Sequence, residues 1–177
     1  MFSLKTSEYL IQIFDALRDI DSKVGEFVEV LKRVKENGSR LWVLGNGGSM
    51  AIAQHFAQDL LKTANVRAQA INCPSVLTAF SNDDDFRYSF YNPIRTLSKP
   101  GDPIFIFSCS GRSRNYIEFV SGFEDRRNPV LSVVGTTGGF LKEKSDLCLH
   151  VKSDDYQVCE VAFQIIADLI VKSLMEE

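Results

Sequence analysis

The sequence predicts an α/β protein built on a parallel sheet of about five strands, with helices on both faces. Short apolar runs alternate along the chain with segments of helical periodicity, which is the pattern of β–α–β units. A glycine-rich turn follows the first of these runs, and a hydroxyl-rich loop follows a later one. Because ligands bind beyond the carboxyl ends of the strands in open α/β sheets, the two loops support the same fold class.

The N-terminal segment predicts a helical arm in front of the sheet. Apolar residues recur at three- and four-residue steps from Ser7 to about Lys35, with a break expected near Asp21. Asn37 and Gly38 form a typical helix stop. We therefore expect residues 1–177 to form one domain, with the arm over 1–38 and the α/β core over 39–177.

The elements of the core follow in alternating order. Strands are predicted over 41–45, 68–72, 103–108, 129–134 and 146–151. Helices are predicted over about 49–64, shortly after Pro74, and over about 87–97, 113–123 and 156–175. The last helix has a broad apolar face, which leaves open whether its partner is the sheet, the arm or another subunit.

Composition and charge exclude several classes of protein. With 177 residues, of which 45% are hydrophobic, the chain can bury the core of one soluble domain. A net charge of −3 provides no basic face for nucleic acid, and no apolar run reaches the roughly 20 residues of a membrane span. No signal-peptide pattern is present, so a cytoplasmic location is expected. The four cysteines lack C-x-x-C spacing and predict no disulfide framework.

The turn Asn46-Gly47-Gly48-Ser49 is the first candidate binding site. It follows the apolar run 41–45 and leads into a predicted helix. Unpaired backbone N–H groups and the helix dipole favour an anion there, and glycine lets a ligand approach the backbone closely. The turn is neither a Walker A loop nor a G-x-G-x-x-G fingerprint. By itself it is equally consistent with an ordinary strand-to-helix connection.

The second candidate is the loop Ser108-Cys109-Ser110-Gly111-Arg112-Ser113, which follows the apolar run 104–107. Its hydroxyl groups and its glycine suit the oxygens of a phosphate. Arg112 and Arg114 flank the serines, where cations would help to hold a dianion. Two such loops at one edge of the sheet predict a phosphate site.

Five motifs occur in a fixed order along the chain. They are Gly45-Asn46-Gly47-Gly48-Ser49, Ala53-Gln54-His55-Phe56-Ala57, Leu77-Thr78-Ala79 with Asn82-Asp83, the loop 108–113, and Cys159-Glu160-Val161. Together they resemble the sugar isomerase (SIS) superfamily, and more narrowly the bacterial phosphoheptose isomerases. Those enzymes interconvert sedoheptulose 7-phosphate and glycero-manno-heptose 7-phosphate for lipopolysaccharide or capsule heptose synthesis. The resemblance extends over nearly the whole chain, including the arm.

The resemblance implies a flavodoxin-like three-layer sandwich, the SIS fold, and a homotetramer with active sites between subunits. It implies that the sugar phosphate is held by Ser108, Cys109, Ser110 and Ser113, with Cys109 in place of the usual threonine or serine. It implies that the sugar is lined by Asn46, Gly47, Gly48 and Ser49, with Asp83 near the site. The expected partners are a phosphorylated sugar and other copies of this chain, and neither nucleic acid nor membrane.

The catalytic residues implied by the resemblance are His55, Asp59 and Glu160. Aldose–ketose isomerisation needs a base for the carbon beside the carbonyl and an acid for the oxygens. His55 and Asp59 share a helix face at i and i+4, although the family has the longer glutamate at position 59. About 1 Å of misplacement can cost about a hundredfold in rate. Glu160 either reaches the site or pairs with a neighbour.

No cofactor is assigned outright, but the resemblance raises zinc. The family metal is held by the residues that match His55, Asp59, Cys159 and Ala167. Alanine neither binds a metal nor relays a proton. The metal-ligand hypothesis is therefore a three-ligand site of His55, Asp59 and Cys159 with an open fourth position, as a catalytic zinc needs.

Two functions stay open after this comparison. One is a phosphosugar isomerase. The other is a SIS protein that binds a phosphosugar or a protein partner without isomerising anything, as does a replication-initiation factor of this fold that binds the initiator protein. The residues at positions 59, 159 and 167 separate the two, and the retained His55 with a carboxylate at 59 favours the enzyme.

Overall fold

A five-stranded parallel sheet forms the centre of the molecule, for which the computed structural model describes residues 5–122 and 128–176. Its strands are β1 (Leu41–Gly45), β2 (Ala68–Ala70), β3 (Ile104–Ser108), β4 (Val130–Val134) and β5 (Leu147–His150). Their order in the sheet is β2-β1-β3-β4-β5, and every neighbouring pair is parallel. The predicted parallel sheet is confirmed.

Helices connect the strands and cover both faces of the sheet. They are α1 (Thr6–Ala16), α2 (Asp21–Asn37), α3 (Gly48–Lys62), α4 (Pro74–Asp83), α5 (Tyr91–Leu97), α6 (Arg114–Gly122), α7 (Gly139–Lys144) and α8 (Tyr156–Met175). The predicted helix over 87–97 is divided into a 3-10 turn (Phe86–Tyr88) and α5. Helix α6 begins one residue later than predicted, and residue 123 lies outside the described residues. Helix α7 was not predicted, because six residues are too few to show a helical period.

The predicted helical arm is confirmed as two helices. Helix α1 ends at Ala16 and α2 begins at Asp21, so the break lies where it was expected. Asp19 adopts a left-handed conformation within the break (φ 65°). Gly38 ends α2 in the left-handed conformation that favours glycine (φ 66°), and Ser39 N donates to the Val34 carbonyl at 3.1 Å. The stop at Asn37–Gly38 therefore has the expected physical cause.

Two separate hydrophobic cores lie on opposite faces of the sheet. Along β3, Phe105 and Phe107 point to the core that the arm, α3 and α8 cover, whereas Ile104 and Ile106 point to the core under α5, α6 and α7. The Phe56 ring of α3 lies 5.0 Å from Phe105 and 5.7 Å from Phe107 between ring centroids. The three layers confirm the expected sandwich. No helix among the described residues is long and apolar enough to cross a bilayer.

The strand order creates one switch point in the sheet. From β1 the chain crosses to β2 on one side, and from β3 it crosses to β4 on the other. Strands β1 and β3 are therefore neighbours whose following loops diverge, which opens a crevice beyond their carboxyl ends. Both candidate phosphate loops emerge at this crevice.

Candidate phosphate and active site

A cavity of about 130 Å³ opens at the switch point between β1 and β3. Its lining comes from both predicted loops and from the start of α8, and consists of Asn46, Ser49, Phe107, Ser108, Cys109, Ser110, Ser113, Tyr116, Tyr156 and Glu160. Pockets for drug-sized ligands have volumes of roughly 300–1,000 Å³. The cavity therefore fits the phosphate end of a sugar phosphate, with the remainder of the ligand outside it.

The turn at the end of β1 is shaped by three glycines, two of which leave no room for a side chain. A Cβ at Gly45 would overlap the backbone of Ser49, so only glycine permits so tight an entry into α3. Gly47 has a φ of 55°, which glycine adopts without strain. A Cβ at Gly48 would overlap the carboxylate of Glu160. The glycines thus bring the N-terminus of α3 and Glu160 together at the cavity.

The hydroxyl-rich loop after β3 is held in its curved shape by its own side chains. Gly111 N donates to Ser108 Oγ at 3.1 Å, and Arg112 N donates to Ser110 Oγ at 3.2 Å. Gly111 has a φ of 61°, and a Cβ there would overlap the carbonyl of Gly138 in the next loop. The loop leads into α6, so the N-termini of α3 and α6 both face the cavity. Their N–H groups and the loop hydroxyls suit a phosphate.

A buried amide network fixes Asn46 at the mouth of the turn. Asn46 Nδ2 donates to Asn115 Oδ1 at 3.0 Å, and Asn115 Nδ2 donates back to Asn46 Oδ1 at 3.1 Å. Asn115 is fully buried and also donates to Ser89 Oγ at 3.2 Å. Sequence reasoning missed Asn115 and Ser89, because their partners are distant along the chain and no local pattern marks them.

Glu160 is the one carboxylate that lines the cavity among the described residues. It stands in the first turns of α8, whose N-cap Asp155 accepts hydrogen bonds from Gln157 N at 2.8 Å and Val158 N at 3.2 Å. On the opposite wall, burial raises the pKa of Tyr116, which stays neutral and donates to the Phe107 carbonyl at 3.4 Å. The structure therefore brings Glu160 to the predicted phosphate site.

The expected cations do not line the cavity. The Arg112 guanidinium donates to Thr137 Oγ1 at 2.9 Å and is exposed in a groove beside α7. Arg114 is exposed as well and does not reach the cavity. These arginines therefore contribute nothing to the cavity lining in this structure, and their role in holding a dianion stays a prediction. Backbone N–H groups, hydroxyls and helix dipoles remain as the anion-binding groups.

Asp83 also lies outside the cavity. It is the last residue of α4, it is exposed, and its Oδ1 accepts a hydrogen bond from Asn82 Nδ2 at 2.7 Å. Helix α4 extends through Asp83 and leaves its side chain at the surface. Within one chain, the structure does not bring this predicted site residue to the others.

His55 and Asp59 form a pair in a different place. His55 Nε2 lies 3.2 Å from Asp59 Oδ2, with side chains 53% and 25% exposed. They line an open groove between α3 and α8, together with Thr63, Asp168, Val171, Lys172 and Met175. Asp59 is ten residues beyond Ser49, about 15 Å further along the helix axis. The groove is therefore separate from the phosphate cavity within one chain.

The same groove shows a titratable residue that sequence reasoning missed. Ala167, where the family has a histidine, is buried in α8. The next residue, Asp168, lines the groove and accepts a hydrogen bond from Gln164 Nε2 at 2.8 Å. The family motif points to position 167, so sequence reasoning did not consider the carboxylate of Asp168 one residue later.

Cys159 faces away from His55 and Asp59. It is buried, and its Sγ donates to the Ser153 carbonyl at 3.3 Å. The interaction between the two thiols, and then burial, raises the pKa of Cys109. The same interaction lowers the pKa of Cys159, although burial acts in the opposite direction. The two sulfur atoms thus belong to one buried pair beside the cavity.

This arrangement does not fit the hypothetical zinc site. Among residues 5–122 and 128–176, no three side chains of His, Cys, Asp or Glu converge as metal ligands do. His55 and Asp59 point into the open groove, and the sulfur of Cys159 points into the interior. We therefore derive no chemical step through zinc.

Comparisons with known proteins agree with this geometry. Residues 8–135 match the family model of the SIS domain. The phosphoheptose isomerase of Geobacter sulfurreducens is 33% identical over 174 residues, which cover 92% of each chain. The structure of phosphoheptose isomerase GmhA from Neisseria gonorrhoeae has a TM-score of 0.89 at 26% identity, covering 97% of this chain and 95% of that one.

The fold extends to a further relative. The structure of a phosphoheptose isomerase from Francisella tularensis has a TM-score of 0.90 at 24% identity and covers 100% of both chains. Together with the family model and the relative of similar length, the sheet order and the loops at its switch point lead to one assignment. The chain belongs to the SIS-domain family and, within it, to the phosphoheptose isomerases.

Proposed function

We propose that this protein is a cytoplasmic aldose–ketose isomerase that converts sedoheptulose 7-phosphate to glycero-manno-heptose 7-phosphate for surface-polysaccharide synthesis. One observation carries the proposal: a phosphate-sized cavity at the switch point has a single carboxylate, Glu160, at its wall. The phosphate anchors the substrate, and the carboxylate stands where the sugar leaves the cavity. Anchoring converts proton transfer into a reaction between groups already in place.

The cavity supplies binding, orientation and one proton-transfer group. In this proposal the N-termini of α3 and α6 and the hydroxyls of Ser108, Ser110 and Ser113 bind the phosphate. Glu160 moves a proton at the carbon beside the carbonyl or at its oxygen. The Asn46 amide, which Asn115 holds in place, donates to the oxygen that becomes negatively charged in the enediolate.

Isomerisation also needs a second proton-transfer group, and we propose that a neighbouring subunit supplies it. Asp59 acts as the base and His55 as its hydrogen-bonded partner, from the groove between α3 and α8. Large apolar side chains are exposed in that groove and on α1: Met175, which lines the groove, is 56% exposed, and Phe14 is 68% exposed. Exposed apolar groups of this size are typical of an interface, and a homotetramer would cover them.

A binding protein without isomerase activity is the second candidate. It is favoured by one observation: Ala167 is buried where the family has a histidine, so α8 has lost a proton-relay group at that point. Under this alternative the cavity still binds a phosphorylated sugar. The two candidates therefore differ in turnover and agree in binding.

An NMR time course with sedoheptulose 7-phosphate separates the candidates. We expect new aldose signals with the wild-type protein and none when unphosphorylated sedoheptulose is the substrate, because the phosphate is the anchor. The phosphorus resonance is recorded in the same samples to report binding. A broadened phosphorus resonance without conversion would contradict isomerisation of this substrate and would support the binding protein.

A further inference from the structure

Cys109 and Cys159 place two buried thiols beside the phosphate cavity, at the start of α8. Cys109 belongs to the loop after β3 and lines the cavity, whereas Cys159 belongs to α8. Their exposed fractions are 5% and 0%. The Cys109 sulfur lies 3.9 Å from the Tyr156 carbonyl oxygen in the first turn of α8, and the Cys159 thiol donates to the Ser153 carbonyl just before that turn at 3.3 Å. Neither takes part in a disulfide in this structure. The pair therefore joins two segments that both shape the proposed phosphate site.

Gly135 in the loop after β4 allows the two cysteines to approach each other. Its N–H donates to the Cys109 carbonyl at 3.1 Å, and a Cβ at this position would overlap the sulfur of Cys159. A larger residue would separate the loop after β3 from α8.

We propose that Cys109 and Cys159 form a reversible disulfide under peroxide, and that this disulfide weakens phosphate binding in the adjacent cavity. The disulfide itself follows from the thiol pair. Its effect on binding rests on the proposed function, because only that function assigns the phosphate to this cavity. Cys109 lines the cavity, so a water-sized oxidant reaches the pair through the space that the phosphate would occupy.

The reaction balances with hydrogen peroxide as the oxidant. One thiolate attacks a peroxide oxygen, the O–O bond breaks, and the leaving hydroxide takes up the thiol proton to give water and a sulfenic acid. The second thiol then attacks the sulfenic sulfur, the S–O bond breaks, and the hydroxyl leaves with the second proton as water. Two thiols and one peroxide thus give one disulfide and two waters, whichever cysteine reacts first.

The bond must change the shape of the cavity. A disulfide requires an S–S distance of about 2.0 Å, shorter than any hydrogen bond between thiols. We therefore expect the bond to draw the loop and α8 together. Ser108 and Ser110 flank one cysteine and Glu160 follows the other, so these cavity-lining side chains shift with the bond.

Peptide mass mapping of the wild-type protein tests the disulfide. After brief exposure to hydrogen peroxide and alkylation, we expect the peptides of Cys109 and Cys159 to be recovered as one cross-linked species. The half-buried Cys148, whose pKa is raised by burial, serves as the internal control and should remain alkylated. Saturating inorganic phosphate should slow the cross-link, because it occupies the route to Cys109. Separate oxidation of the two cysteines would overturn the proposal.

Binding of inorganic phosphate, measured by phosphorus NMR, tests the consequence. We expect the oxidised protein to bind phosphate about tenfold or more weakly, within the range usual for coupled sites, and dithiothreitol to restore affinity. The Cys159→Ser variant should bind phosphate and ignore peroxide. A cross-linked protein with unchanged affinity would overturn the coupling. A protein that forms the cross-link under peroxide, but binds no phosphate in its reduced form, would overturn the phosphate assignment and leave the disulfide standing.

Discussion

The phosphate cavity and the groove between α3 and α8 are built by opposite means. The cavity is enclosed by backbone N–H groups, hydroxyls and close glycine contacts, and Glu160 is the one carboxylate among the described residues that line it. The groove is open and contains His55, Asp59, Asp168 and Lys172, all of them titratable. The cavity is enclosed but contains few ionisable groups, whereas the groove contains several ionisable groups but is open.

This difference suggests that the cavity binds the anion and that the groove provides proton-transfer groups. An anion site made of helix N-termini and hydroxyls needs no partner, since one chain already provides its donors. Proton-transfer groups act well only where water is excluded and the reacting atoms are within hydrogen-bond reach. The His55–Asp59 pair meets neither condition in a single chain, because it is exposed and lies apart from the cavity. In the proposed tetramer, a second subunit would exclude water from this pair and bring a bound substrate within its reach.

The largest expected effect is on turnover in Glu160→Gln. Removing the proton-transfer group of the cavity should lower kcat for sedoheptulose 7-phosphate by about 10²–10⁴-fold. Phosphate binding should remain or become tighter, because a negative charge leaves the cavity wall. Turnover and phosphorus NMR titrations measure the two effects. Glu36→Gln, an exposed carboxylate on α2, is the matched control and should match the wild type. Unchanged kcat in Glu160→Gln would remove Glu160 from the mechanism.

Asp59→Asn should cause a loss of similar or slightly smaller size, and it tests whether the two regions belong to different subunits. Neither Asp59→Asn nor Glu160→Gln should be active alone. When the two variants are unfolded, mixed in equal amounts and refolded, random assembly should restore about a quarter of the wild-type sites. Mixtures that stay inactive, although both proteins co-assemble, would contradict a site shared between subunits.

A smaller effect, on stability, is expected for Gly45→Ala at the end of β1, next to Asn46 of the cavity wall. The added methyl overlaps the backbone of Ser49, so the turn must open, which should lower the free energy of unfolding by about 1–3 kcal/mol. Gly25→Ala is the matched control, because Gly25 is exposed in α2 with no atom near its missing Cβ. That change should stabilise the protein by about 0.5–1 kcal/mol. Urea unfolding measures both, and equal effects would contradict the steric account.

The sequence was sufficient for the strands and for the position of the two loops at the switch point. Strands β1 and β3 are short apolar runs buried on both faces, and each leads into a loop whose composition suits a helix start. These are local features, so reading along the chain finds them. Helix α7 was missed for the opposite reason, since a six-residue helix shows no complete apolar period.

The sequence was insufficient wherever distant residues meet. Asn115 is paired with Asn46 across 69 positions, and only the packing of α6 against the turn brings them together. Cys109 and Cys159 belong to separate motifs, and Gly135 leaves the room in which the Cys159 sulfur approaches the Cys109 backbone. Asp59 stands at a motif position where the family has glutamate, but it lies in the open groove, since the resemblance names residues and does not say which subunit uses them.

The amide network that fixes Asn46 should contribute a smaller amount to stability than the turn. Asn115→Ala leaves the Asn46 amide without its buried partner, which should cost about 1–2 kcal/mol in the free energy of unfolding. Ser89→Ala removes one hydrogen bond of the same network and should cost about half as much. Urea unfolding compares the two variants. A larger loss in Ser89→Ala would contradict the central role assigned to Asn115.

The smallest effect is expected for Arg112→Ala, which tests whether the cavity binds phosphate without a cation. The guanidinium of Arg112 is exposed and bonded to Thr137, so its removal takes no group from the cavity. Exposed substitutions usually change free energies by less than about 0.5 kcal/mol, which corresponds to about a twofold change in phosphate affinity. Arg114→Ala should behave in the same way. A tenfold loss in either variant would mean that the arginine turns inward when phosphate binds, and the cavity could no longer be described as an anion site built from backbone and hydroxyl groups alone.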